Sequence, residues 1–321
     1  MNVIETHGLT RRFGRLEAVH GLDLAVPQGA VYALLGPNGS GKSTTIKLLM
    51  NLLQPNTGGA QVLGADSRQL SPRELRRIGY VADGMELPEW MTVRQFLDYC
   101  RPFYPTWDTM LEKKLLQDFE LPPERKLKHL SRGMKMKAAL MAALAYHPEL
   151  LILDEPFSGL DPVVRDDFIR GLIETSAQGE WTIFISSHDI EDIERLADWI
   201  GIIENGKLRF AEELESLQRR FRRIEVTRNA QGRDDNDPAN KGRDASPRRP
   251  SGRLGEPSLP TTWLNYEEAG LMSRFIDSAY APGETEQRCG EIFPGATATA
   301  TPMPLREIYV TLARANRGKT L

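Results

Sequence analysis

The sequence predicts an α/β domain on a mostly parallel sheet with an antiparallel edge, interrupted by a helical insertion and followed by a small α+β C-terminal region. Three observations predict it. Short apolar runs alternate with amphipathic segments over residues 1–210, the pattern of strands that are covered by helices. The strand pattern then disappears between residues 84 and 148, where helical periods dominate. After Arg228 the composition shifts abruptly to charged, polar, Gly and Pro residues.

Taken in order, Leu22–Val26 and Val31–Leu35 flank Pro27-Gln28-Gly29 and read as a hairpin at the sheet edge. Val31–Leu35, Leu150–Leu153 and Thr182–Ile185 are continuous apolar runs that fit buried strands, each ending at a polar or glycine-rich motif. Helices are expected near 92–103, 108–119 and 131–146, with Thr106 or Asp108 as N-cap of the second. Domain boundaries follow: a first domain at 1–215 with its helical insertion at about 84–148, a connecting segment at 216–228, and a linker at 229–260. Residues 229–258 hold one large apolar side chain, Leu254, too little burial to offset the entropy of ordering, so disorder is expected there. Order resumes at 261–321, where Leu305, Ile308, Tyr309 and Leu312 share one helix face.

The 321 residues carry a net charge of −3, without the basic excess that nucleic-acid binding brings. Two distant cysteines, Cys100 and Cys289, read as free thiols in a reducing compartment. The first residues hold no continuous apolar stretch of the signal-peptide kind, and no run approaches the ~18 apolar residues that span a bilayer.

Chemistry concentrates in two places. Gly36, Pro37, Asn38, Gly39, Ser40, Gly41, Lys42, Ser43 and Thr44 follow one predicted strand and open a helix. This is the setting that the phosphate-loop pattern of a P-loop NTPase core requires. Glycines let the backbone curl its N–H groups around phosphates, Lys42 neutralises them, and the Ser43 hydroxyl suits Mg²⁺. At the end of Leu150–Leu153 stand Asp154 and Glu155, carboxylates suited to a metal ion and to an attacking water.

Leu130-Ser131-Arg132-Gly133-Met134, about twenty residues before the acidic pair, resembles the signature motif of ATP-binding-cassette (ABC) ATPases, usually Leu-Ser-Gly-Gly-Gln. The resemblance continues in register. Phe13 stands at the adenine-stacking aromatic, Ser158-Gly-Leu-Asp161 at the dimer-contact loop and His188 at the switch histidine. It implies two protomers sandwiching two ATP molecules with Mg²⁺. Lys42, Glu155 and His188 would be catalytic, and Ser131 and Gly133 would hold the phosphate of ATP on the partner protomer. Three positions depart from the family: Arg132 stands where glycine is usual, and Met134 and Asp83 each stand where glutamine is usual. Asp83 is thereby a candidate metal ligand beside Ser43 and Asp154.

Within that family the chain looks like the separate ATP-binding subunit of bacterial ABC-2 type exporters. The cues are the signature variant, Leu87–Val93 and the C-terminal tail. This implies a homodimer, or a heterodimer, at the inner face of the cell membrane, with an integral-membrane permease and no nucleic acid as partner. Trp90, Phe96, Tyr99, Phe103, Tyr104 and Trp107 crowd into one stretch. Most are expected to pack the insertion, with Trp90 and Tyr104 exposed toward the permease. The alternative is a soluble or regulatory ABC-type ATPase that is not coupled to transport.

Overall fold

The computed structural model describes residues 1–176, 181–228 and 259–317; of the linker expected at 229–260, residues 229–258 lie outside them. The chain divides into two compact units, Met1–Leu214 and Glu215–Leu321.

The first unit holds two sheets. The larger has strand order Lys207–Glu213, Trp199–Glu204, Val31–Leu35, Thr182–Ser187, Leu150–Asp154, Ile78–Val81. All neighbours run parallel except the edge strand Lys207–Glu213. Every residue of Val31–Leu35, Leu150–Asp154 and Thr182–Ser187 is buried, as strands covered on both faces must be. Their carboxyl ends lie side by side, and there the chemistry gathers.

The smaller sheet is antiparallel, with Leu16–Leu22, Asn2–Phe13, Thr57–Val62 and Ala65–Asp66 in order and Ala25–Pro27 also paired to Asn2–Phe13. This corrects the expected hairpin. Ala25–Pro27 pairs with the start of the chain, while Val31–Leu35 lies between two parallel neighbours of the larger sheet. A three-residue connection fits a hairpin locally, but the fully apolar Val31–Leu35 run gains more by burial on both faces. One apolar core, including Ile4, Leu9, Val26, Leu34, Ile46 and Phe184, joins the two sheets and the helix Lys42–Leu49.

The insertion is helical as expected. Val93–Cys100 starts with a capping box between Thr92 and Gln95. Thr109–Asp118 is capped by Asp108, which accepts from Met110 N and Leu111 N. Thr106 instead donates to the Tyr146 carbonyl at 2.7 Å. The third helix, Arg132–Leu144, starts at Ser131. Of the aromatic stretch, Phe96 is buried and Trp107 donates to Glu112 at 2.7 Å. Trp90 is exposed, as expected, but Tyr104 is not: it stacks on Tyr146 with ring centroids 3.7 Å apart. Tyr99 and Phe103 are the other exposed rings of the stretch.

The second unit holds a four-stranded antiparallel sheet in the order Trp263–Ala269, Met272–Asp277, Arg222–Arg228, Ala296–Pro302. Residues 216–228 are therefore not a mere connection. They complete the helix Leu214–Arg220 and supply an inner strand, in which Ile224 and Val226 alternate into the core. Trp263 stacks on Phe275 at 3.9 Å, and the helix Glu284–Ile292 adds Cys289. The helix Leu305–Arg317 buries Leu305 and Ile308 completely. Cys100 and Cys289 are free thiols. Among the described residues no helix is long and apolar enough to cross a membrane.

Candidate active site

The glycine loop leaves the central strand Val31–Leu35 and enters the helix Lys42–Leu49. Its glycines are needed for space as well as for conformation. A β-carbon on Gly36 would lie 2.2 Å from the Ile203 carbonyl oxygen and 2.6 Å from Ser40 Oγ. Gly41, at φ +109°, would meet the Ala18 carbonyl oxygen at 2.4 Å. Pro37, Asn38 and Gly39 form the exposed rim, Ser43 and Thr44 are half-buried, and Ser40 is buried with its hydroxyl unpartnered. The loop thus presents backbone to the opening, with a helix start behind it, the arrangement that holds anions.

Lys42 is buried beneath the loop and donates to the Gly36 and Pro37 carbonyl oxygens at 2.8 and 3.2 Å. Its Nζ also lies 2.9 Å from Glu155 Oε1. That contact is an ion pair rather than a directed hydrogen bond, since Oε1 makes no hydrogen bond.

Asp154 Oδ1 accepts from Ser43 Oγ at 3.0 Å and from Ser186 Oγ at 2.6 Å. Burial pushes the Asp154 pKa up, against those two hydrogen bonds, and the charges of Glu155 and Asp83 push it further. A buried carboxylate beside a hydroxyl is a hard oxygen pair of the kind that suits Mg²⁺. Among the described residues no group of three or more His, Cys, Asp or Glu side chains gathers to hold a metal.

Glu155 adopts φ +48°, a strained conformation for a residue with a β-carbon. Its N–H donates to both oxygens of Ser186 at 3.1 Å, and its carboxylate reaches Lys42 on one side and His188 on the other. His188 Nδ1 is 2.7 Å from Glu155 Oε2, and the His188 N–H donates to the same oxygen at 3.3 Å. The imidazole is about half exposed.

The remaining predicted residues lie around this centre. Phe13 ends its strand as an exposed ring with the Arg11 guanidinium 4.7 Å from its centroid. Ser131 Oγ accepts from Met134 N at 3.2 Å and so caps the signature helix. At Gly133 a β-carbon would lie 2.9 Å from Val164 Cγ1, so the signature helix packs closely on the helix Pro162–Ser176. Asp161 caps that second helix, accepting from Val163 N and Val164 N at 3.1 Å. Asp83 does not join Ser43 and Asp154 in a hydrogen-bonded set. Its carboxylate pairs with Arg132 at 3.1 Å.

Two residues escaped the sequence reading. Ser186 ties Asp154 and the Glu155 backbone together; its only signal is a pair of serines closing an otherwise apolar strand. Arg165 bridges Asp189 and Asp192 at 2.8 and 2.9 Å and so braces the turn after His188. Nothing in its local sequence sets it apart.

A glycine loop between strand and helix, with a buried lysine and an acidic strand end, defines a nucleoside-triphosphate-binding protein of the P-loop class. Residues 19–158 match the family model described as ABC transporter. The chain is 34% identical over 223 residues to the bacitracin transport ATP-binding protein BcrA of Bacillus licheniformis, covering 69% of this chain and 73% of that protein. It is 36% identical over 213 residues to the daunorubicin/doxorubicin resistance ATP-binding protein DrrA of Streptomyces peucetius, covering 64% and 63%. An ATP-binding subunit of an ABC transporter is similar in structure, with a TM-score of 0.61 at 28% identity over 68% of this chain and 92% of that one. The chain belongs to the ABC transporter family, as an ATP-binding ATPase.

Proposed function

We propose that the chain powers export through a separate integral-membrane permease, as a dimer that closes around two ATP molecules and opens after their hydrolysis. The observation that carries the reading is the Glu155 carboxylate, held 2.9 Å from Lys42 Nζ and 2.7 Å from His188 Nδ1 beside the glycine loop. A carboxylate placed between a buried cation and an imidazole can orient and deprotonate water next to a bound phosphate.

On this reading the loop N–H groups and Lys42 bind the ATP phosphates. Ser43 and Asp154 hold Mg²⁺, which neutralises charge on the phosphate oxygens when bound. His188 keeps the Glu155 carboxylate aligned, Phe13 offers its exposed ring to adenine, and Ser131 and Gly133 present a helix start to the ATP of the partner protomer. Asp161 fixes the loop through which two copies would touch. A homodimer is sufficient, because both halves of a complete site lie in one chain.

The transport reading draws on the relatives named for bacitracin transport and for drug resistance. It also draws on a cavity of about 720 Å³ between Val81–Leu87 and the signature helix, with Met85, Leu87, Leu130 and Met136 in its wall. Such a cleft suits a short helix of a permease. The exposed Trp90, Tyr99 and Phe103 rings suit the same contact. The site of action is then the inner face of the cell membrane.

The test is ATP hydrolysis with and without Mg²⁺, for the wild type and Glu155→Gln, together with ATP-dependent dimerisation and co-purification of a membrane partner. Mg²⁺-dependent turnover by the wild type, an ATP-locked dimer of the variant and a retained permease support the reading. ATP binding without hydrolysis or dimerisation replaces it with a regulatory role.

A further inference from the structure

Of the three departures from the family pattern, Asp83 and Arg132 meet. Arg132 Nη2 lies 3.1 Å from Asp83 Oδ1. Asp83 follows the core strand Ile78–Val81, whereas Arg132 is the first residue of the insertion helix Arg132–Leu144. The ion pair therefore joins insertion to core. The same guanidinium covers Gly159: a β-carbon there would lie 2.8 Å from Nη1 and 3.1 Å from Cζ. One side chain thus touches the loop after the Ile78–Val81 strand and the dimer-contact loop while standing beside Ser131.

Both partners are about half exposed. A pair so placed changes an equilibrium by about fivefold at most and weakens with salt, which makes it reversible. The charge of Asp83 is also felt at Asp154, and its partner Arg132 stands next to Ser131 in the signature.

We propose that Asp83 and Arg132 act as one unit, a reversible latch that sets the orientation of the helical insertion, and with it Ser131 and the 158–161 loop, for closure of two protomers on ATP. Arg132 is a positioning residue in this account. The two residues compensate: an arginine without the aspartate leaves a free cation at the signature, and an aspartate without the arginine leaves an unpaired carboxylate at the end of the Ile78–Val81 strand. The inference rests on the ATP-sandwich reading above.

Two measurements test it on the full chain. The first is the distance distribution between spin labels at exposed Gln61 and Lys114 in nucleotide-free protein, with Cys100 and Cys289 replaced by alanine. The second is the ATP concentration for half-maximal dimerisation in the Glu155→Gln background. Asp83→Asn and Arg132→Gln should each broaden the distances and raise the ATP midpoint by up to about fivefold. The double variant should be no worse than either single one, and Arg132→Lys should recover most of the loss. Asp83→Gln with Arg132→Gly, the usual family pair, should dimerise better than either change alone. Additive effects of the single changes, or distances that none of the variants alters, would overturn the latch. If the parent protein neither binds ATP nor dimerises, the sandwich reading fails by itself, and the nucleotide-free distances still decide whether the latch exists.

Discussion

Glu155 Oε2 accepts from the His188 backbone N–H at 3.3 Å and lies 2.7 Å from His188 Nδ1, so one carboxylate oxygen is fixed by two atoms of a single residue on the neighbouring strand end. The other oxygen faces Lys42 at 2.9 Å. This arrangement leaves Glu155 few orientations and makes it the group best placed to act on water. Glu155→Gln keeps the shape and removes the base. Turnover is expected to fall by about 10²–10⁴-fold while ATP binding persists, read by phosphate release and equilibrium nucleotide binding. Turnover within tenfold of wild type would remove Glu155 from the role of base.

His188→Ala takes away the ring contact and leaves the backbone N–H and Lys42 to hold the carboxylate. The loss falls on alignment, so turnover is expected to drop by roughly 10²-fold, with ATP affinity changed far less. A His188→Ala variant that loses ATP binding to the same degree as turnover would instead make the histidine a ground-state ligand. Steady-state turnover and a nucleotide titration on one preparation separate the two.

Gly36→Ala tests the glycine loop by volume alone. The added methyl meets the Ile203 carbonyl oxygen at 2.2 Å and Ser40 Oγ at 2.6 Å, and the carbonyl belongs to a strand that cannot rotate away. Overpacking of this kind costs about 1–3 kcal/mol, which corresponds to a fall in Tm of roughly 2–12 °C for a unit of this size. Calorimetry on the nucleotide-free protein measures it. An unchanged Tm would mean that the loop yields more easily than its packing suggests.

The residues best read from sequence are those whose partners are near in the chain. The loop from Gly36 to Thr44 and the Asp154–Glu155 pair announce themselves by spacing, and so does Ser131, because a cap and its helix are neighbours. Long-range pairing is a different matter. Ala25–Pro27 lies close in sequence to Val31–Leu35 yet pairs with residues 2–5. Arg222–Arg228 is an inner strand only because Met272–Asp277 and Ala296–Pro302 return to it from far along the chain. Short alternation at Ile224 and Val226 is too weak a signal to reveal that. Tyr104 is covered through a partner likewise distant in the chain, since Tyr146, on which it stacks, is 42 residues away. The Asp83–Arg132 pair was visible as two oddities, and only the fold makes them one.

Asp154 yields the pH prediction. Burial raises its pKa, Glu155 and Asp83 add to the effect, and the hydrogen bonds from Ser186 and Ser43 oppose it. The folded chain therefore binds this proton more tightly than the unfolded chain does. The stability that the proton brings is present in full below the ordinary aspartate range near 4, and it is lost as pH rises through the higher folded pKa. At neutral pH, without a bound cation, the ionised carboxylate thus weakens the fold. Asp154→Asn keeps an oxygen for both serine hydroxyls and removes the charge. The nucleotide-free variant is expected to melt higher than the wild type at pH 7, and this advantage should shrink as the pH is lowered toward 4. Adding Mg²⁺ and ATP should raise the Tm of the wild type and raise that of the variant much less, because the variant has lost the anionic ligand. Melting curves across pH, with and without Mg²⁺ and ATP, decide the matter. A variant less stable than wild type at pH 7 would mean that Asp154 holds the fold together rather than being held by it for the metal.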